Sequence, residues 1–367
     1  MSNEPTVDIK AFKGIYNRDS SRRLPIGALE NAINIDIERS GAIIRRKGFT
    51  LDTALTNASS AYSTKDEQRL FLVDEGSLIL HDVGTLATGL GSSYVYWTEV
   101  ANFVLLSTGH IVSPSNEVSL WRVPTPVIVS VLSSGDTYQY QIVATYTDRV
   151  TGREGGASAV EIVMSDSIPA VTVEEKAGYM ANVYISEPDG TVLFLNGTGE
   201  MLDQAQVDSH PVPVNIGPIA YHDGRLFAAE IGEEHSIIWM SAPHWWNLFR
   251  LREDLLLIPS AVTSLTGTKD GLLITADDAM YLFKDDTLTQ LTEYGTPVGE
   301  PVVVTDSGAA LIWTNQGMCQ LSPFRNVTGS KVSVEPGERC YVQYIEDGGN
   351  EKVVVLTDGN GVADNAR

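Results

Sequence analysis

Apolar positions in this chain alternate with polar ones over short stretches, and turn residues interrupt them every few positions. One unit recurs. Arg69 to His81 (RLFLVDEGSLILH) reads as two apolar strands around Asp-Glu-Gly, and Asn102 to Val112 (NFVLLSTGHIV) repeats it around Thr108-Gly109. Gly224 to Ser241, Gly271 to Lys284 and Gly308 to Leu321 repeat it around Gly232, Asp277-Asp278 and Asn315 to Gly317, and Lys352 to Val362 is expected to be a last copy. Asp, Asn and Gly tolerate the positive φ of tight hairpins. Helical periodicity is nearly absent. Only Gly27 to Ile37 (GALENAINIDI) spaces its apolar residues as a helix would, and its Ile33, Ile35, Ile37 alternation fits a strand equally well.

Comparable points of the repeat fall at Asp223, Asp270 and Ser307, 47 and 37 residues apart. A four-stranded propeller blade takes roughly 40–50 residues, so the spacing predicts a mostly β chain built around a β-propeller. An ordinary β-sandwich or barrel with similar turns is the alternative. The regularity breaks between Pro124 and Asp208. Pro124-Thr125-Pro126 reads as a linker, Tyr138 to Thr147 alternates strictly, and Asp148 to Ser158 is a long polar turn. Ala159 to Met164, Asn182 to Ser186 and Val192 to Leu195 are the following strands. This unit resembles a fibronectin type III β-sandwich inserted between blades; two irregular blades are the other reading. The expected organisation is an arm over 1–50, propeller over 51–123, the insert over 124–208 and propeller again over 209–367.

Charge changes the picture. The 367 residues carry 25 Lys and Arg against 47 Asp and Glu, a net charge of −22. A nucleic-acid clamp needs a basic footprint, so this chain is expected to repel DNA. Acidity also serves solubility alone. Cys319 and Cys340 are expected to be reduced, buried thiols. The N-terminal MSNEPTVDIKAFKG has no apolar signal region, and no apolar run approaches the ~20 residues that span a bilayer, so a protein made in the cytoplasm without a membrane span is expected. The sequons at Asn57, Asn196 and Asn326 are then chance matches.

Candidate chemistry is sparse. His81, His110, His210, His222, His235 and His244 show no helical zinc spacing, and Asp277-Asp278 and Asp285-Asp286 lack the ladder of a calcium loop. No nucleophile elbow, Walker loop or dinucleotide fingerprint occurs. No enzyme, cofactor or metal is expected. The Trp245-Trp246 pair among many carboxylates leaves a carbohydrate-binding or glycan-active propeller as the alternative, against an apolar anchor formed by Pro243 to Phe249. A soluble scaffold or adhesion module is a third reading.

The N-terminal segment differs. Phe12 to Gly14 is followed by Leu24-Pro25-x-Gly27-Ala28, then Asn34, then Gly41-x-x-x-Arg45-Arg46-x-Gly48. Phe12, Ile15 and Leu24 offer apolar contact; Arg22, Arg23, Arg45 and Arg46 offer bidentate partners to carboxylates of a neighbour, or an internal ion pair. This order resembles the opening of bacteriophage tail-nozzle proteins. Asp223-Gly224-Arg225-Leu226-Phe227, Trp239-Met240-Ser241, Trp246 and Gly267 to Phe283 are similar to the packaged-DNA stabilisation proteins of short-tailed phages. The resemblance spans about Phe12 to Gly48 and Tyr221 to Leu321. It implies a virion tail component: a homo-oligomeric ring beneath the portal or adaptor, docked to other tail proteins, through which DNA passes without specific binding. It implies no catalytic residues.

Overall fold

The computed structural model describes residues 11–18, 23–33, 35–37, 40–45, 52–91, 93–207, 209–232, 234–329, 331–333, 335–347 and 350–358. The described chain is nearly all β, without an α-helix; one 3-10 turn covers Gln204–Gln206. It divides into two compact units, residues 1–54 with 262–367, and residues 55–261.

The first unit opens with β1 (Gly14–Ile15) and β2 (Ala28–Leu29), paired in parallel, then β3 (Ile35–Ile37) and β4 (Ile43–Arg45), paired antiparallel. The helix-like spacing over Gly27 to Ile37 therefore folds as short extended strands.

The second unit begins with two antiparallel meanders in simple chain order. The first is β5 (Ala58–Ser63), β6 (Leu70–Asp74), β7 (Ser77–Leu80) and β8 (Gly84–Ala87); the next is β9 (Trp97–Val100), β10 (Phe103–Leu106), β11 (His110–Val112) and β12 (Val118–Leu120). Period-two alternation buries Phe71, Val73, Leu78 and Leu80 with Val104, Leu106 and Val112 in one core. Two further sheets follow from β13 (Ile128–Leu132), β14 (Tyr138–Asp148), β15 (Glu161–Ser165), β16 (Ala170–Val173), β17 (Tyr179–Ser186) and β18 (Leu193–Leu195). Here β13 pairs with β16, and the other sheet has the order β15-β14-β17-β18. Tyr140, Ile142 and Ile185 meet Ile128, Val131 and Val171 between them. The unit closes with β19 (Ile219–His222), β20 (Arg225–Ile231), β21 (Ser236–Ala242), β22 (Trp245–Phe249) and β23 (Leu255–Ile258), which form one sheet.

The remainder of the first unit holds two more meanders: β24 (Val262–Thr268), β25 (Gly271–Ala276), β26 (Met280–Lys284) and β27 (Thr287–Thr292); then, after β28 (Val298–Glu300), β29 (Val302–Val304), β30 (Ala310–Thr314), β31 (Gly317–Gln320) and β32 (Arg325–Asn326). Leu273, Met280, Ala310, Ile312 and Cys319 form their shared core. Finally β28 pairs with β33 (Arg339–Asp347), which pairs with β34 (Asn350–Thr357). The first five repeated units are hairpins as expected. Of the sixth, Lys352 to Thr357 lies in the single strand β34, paired with β33 from Asp347 and Asn350 onward; residues 359–362 lie outside the described residues.

Two-residue turns set these hairpins. Ala101-Asn102, Asp223-Gly224 and Asp285-Asp286 each carry two consecutive positive φ angles between directly paired residues, the backbone that matches strand twist. Asp285 and Asp286 are turn residues for that reason.

Candidate docking arm

The N-terminal arm is tied down by main chain. Phe12 N–H donates to Gly41 O at 3.0 Å, Lys13 N–H to Gly27 O at 2.8 Å, and Tyr16 N–H to Leu29 O at 2.7 Å. Gly27 and Gly41 allow this approach: a Cβ on Gly27 would lie 2.6 Å from Ala11 O, and one on Gly41 2.6 Å from Ala11 Cβ. Beyond Tyr16 the arm crosses to residues 331–333. Asn17 N–H donates to Lys331 O, its Nδ2 to Ser333 O at 3.0 Å, and its Oδ1 accepts Ser333 N–H at 2.6 Å. Lys331 Nζ sits 5.6 Å from the centre of the Tyr16 ring. On the next hairpin, Asp36 Oδ2 pairs with Lys352 Nζ at 2.9 Å.

This frame sorts the expected docking residues. Phe12, Ile15 and Leu24 are half-buried, while Arg23 and Arg45 are exposed and make no ion pair among the described residues. Arg22 and Arg46 lie outside the described residues. Arg45 pairs across the β3–β4 ladder with Ile35, so it shares a face with Ile35 and Ile43. Ile26 and Ile33 are 70% and 64% exposed, and Ile43 and Ile44 are also exposed. The arm thus presents apolar side chains beside two cations that no described carboxylate neutralises. Sequence reasoning missed the anchors Tyr16, Asn17, Lys331 and Lys352, whose partners lie some 316 residues away along the chain.

Other candidate chemistry is scattered. Among the described residues no group of three or more His, Cys, Asp or Glu could hold a metal ion, and no helix is long and apolar enough to cross a membrane. Burial pushes the pKa of His110 down, with the Arg122 guanidinium adding to it, and burial does the same to His222 against the opposing pull of Asp223. Cys319 and Cys340 are buried and unpaired; burial, with Asp358 and Glu300 nearby, pushes the Cys340 thiol up to about 12.

Trp246 is 2% exposed and packs with Trp121, Phe249 and Leu226. Arg153 covers it, with its guanidinium 4.6 Å from the ring centre and Nη1 donating to His244 O. Such a ring has no face to offer a sugar. Trp245 is half-buried.

No family model matches the chain, and no curated protein matches it. Solved structures that align with it include AztD from Citrobacter koseri in its apo form, at 12% identity over 82% of this chain and 80% of that one, with a TM-score of 0.35. The AfRom2 CNH domain aligns at 9% identity over 83% and 96%, and the Dos1 propeller at 9% over 79% and 70%, both with a TM-score of 0.35.

Proposed function

We propose that this chain is a non-enzymatic structural component of a phage virion tail, a ring-forming nozzle or hub that docks neighbouring tail proteins and lets DNA pass. The observation that carries this reading is the arm: a surface segment clipped by main chain and Asn17, with Arg23 and Arg45 exposed and without an ion pair among the described residues, beside exposed Ile26, Ile33, Ile43 and Ile44. It occupies the part of the sequence that resembles tail-nozzle proteins. In a chain of net charge −22, exposed cations beside apolar groups suit the carboxylates of an acidic neighbour, including another copy.

Two architectural details belong to the same reading. The meanders β5–β8, β9–β12, β24–β27 and β29–β32 have the strand order of propeller blades, and β19–β22 follows it with β23 added. The insert is a fibronectin type III-like sandwich: two facing sheets, β13-β16 and β15-β14-β17-β18, with a core between them. The acidic balance supports a lumen that repels phosphates and not a DNA clamp. Electron microscopy of the purified protein tests this function. Rings with an open centre are expected, together with weak DNA affinity at low salt. Monomers that hydrolyse glycans, or tight DNA binding, would overturn it.

A further inference from the structure

The four residues after β18 form an exposed turn, Asn196-Gly197-Thr198-Gly199. Its ends are fixed. Asn196 N–H donates to Val183 O at 2.9 Å, Leu195 N–H to Glu200 O at 2.6 Å, and Leu195 O accepts both Thr198 and Gly199 N–H. Between these anchors two groups have no hydrogen-bond partner among the described residues: the Asn196 carboxamide and the Gly197 N–H. Gly197 has φ +95° and open space where a Cβ would stand, so no side chain or neighbouring atom crowds the backbone on that side.

We propose that Asn196 is a site of spontaneous deamidation. A base takes the Gly197 N–H proton, and the nitrogen attacks Cγ of Asn196. The Cγ–Nδ2 bond then breaks, and the amide leaves as ammonia, carrying away one proton. Water adds to either carbonyl of the resulting succinimide, giving aspartate or isoaspartate at 196. The step needs a residue after Asn that does not block approach, a free amide N–H and a chain that can move locally, and exposed turns supply the last of these.

Other positions in the same fold show what protection looks like. At Asp189-Gly190 the Gly190 N–H is committed to Glu187 O and Asp189 Oδ1 accepts Gln139 N–H. Asn182 spends its Nδ2 on Thr147 and Glu154, Asn326 accepts Gly329 N–H, and Asn247 is buried. Among the described residues Asn196 is the only asparagine followed by glycine. The product places a new carboxylate near Glu200. In the isoaspartate form it also lengthens the main chain by one methylene, inside a turn whose flanks carry Leu193, Leu195 and Leu202 into the insert's core.

The test holds the intact protein warm at mildly alkaline pH and follows it by peptide mapping and isoaspartyl methyltransferase labelling. The Asn196 peptide should convert to aspartate and isoaspartate while the Asn182 and Asn247 peptides stay intact. Each conversion should shift the isoelectric band by one acidic charge. Asn196→Gln, an exposed substitution, should keep the fold and abolish labelling of that peptide. An Asn196 peptide that stays intact in the folded protein, whether or not it converts in urea, overturns the proposal.

Discussion

Reversing Arg45 and Arg46 together separates a docking arm from an internal strut. Arg45 is exposed on the β3–β4 hairpin and makes no ion pair with any described residue. Its loss should therefore change the stability of the folded chain by no more than about 0.5 kcal/mol, the usual size for a surface substitution. At an interface the same change leaves a partner carboxylate without its cation, which costs roughly 2–5 kcal/mol. At 1.4 kcal/mol per factor of ten, that is a loss of roughly 30-fold to a few thousandfold in affinity. Each reversal also shifts the net charge by two units, and the pair takes −22 to −26, so long-range repulsion between copies grows. Sedimentation velocity and electron microscopy read the assembly, and a thermal melt reads the fold. The expected result for Arg45→Glu/Arg46→Glu is an unchanged melt with rings depleted, partly restored by salt that screens the added repulsion. A variant that unfolds makes the arginines internal struts. One that assembles normally removes electrostatics from the arm's contact altogether.

Two further outcomes test the packing. Asp254 is 16% exposed and bridges Arg225 Nη1 at 3.3 Å and Arg250 Nε at 3.0 Å, so Asp254→Ala should cost about 1–3 kcal/mol, read as a lower melting temperature; an unchanged melt would show the network to be ornamental. The pKa of both His110 and His222 is held below the usual 6.5, so the unfolded chain takes up protons that the folded chain refuses; stability is full above 6.5 and falls as the pH drops through it. The urea midpoint should be lower at about pH 5.5 than at about pH 7.5, and His110→Gln with His222→Gln should flatten the difference; a midpoint that rises on acidification would contradict the desolvation argument.

The hairpins were legible because their information is local. Asp74 to Ser77 and His222 to Arg225 carry turn residues between strands whose alternation shows at a glance. Ile128 to Leu132 is a strand that the sequence pattern does not mark: it follows the linker-like Pro124-Thr125-Pro126 and its register carries a bulge, which breaks the alternation, although Ile128 and Val131 pack into a core. For the last expected copy, residues 359–362 lie outside the described residues; the Asp358 carboxylate accepts Glu338 and Arg339 N–H at the start of β33, a partner that no local pattern announces. For the arm, residue types on its surface were readable, but its anchors were not. Asn17 gives no local hint of Ser333, since only the folded chain brings them together.

The break in regularity at Pro124 marks a change of topology, and the segment has clusters of its own, but its contacts do not end there. The turn that follows β14 reaches out of the insert's own sheets. Arg153 lies over Trp246, Asn247 Nδ2 donates to Glu154 O at 2.9 Å, and Ser119 Oγ donates to Asp148. Glu154 Oε1 in turn accepts Tyr184 O–H at 2.9 Å and Asn182 Nδ2 at 3.0 Å, so this one residue faces both ways. A Cβ on Gly156 would stand 2.0 Å from Ser209 O, so the return of the chain into β19–β23 is packed as closely as the exit. A desolvated cation–π contact can be worth about 2 kcal/mol, and it sits here on the ring that anchors the β19–β23 core. The sheets β13-β16 and β15-β14-β17-β18 are therefore joined to the neighbouring β19–β23 sheet through a part-buried set of contacts. Contacts of this kind hold the segment in one orientation against β19–β23.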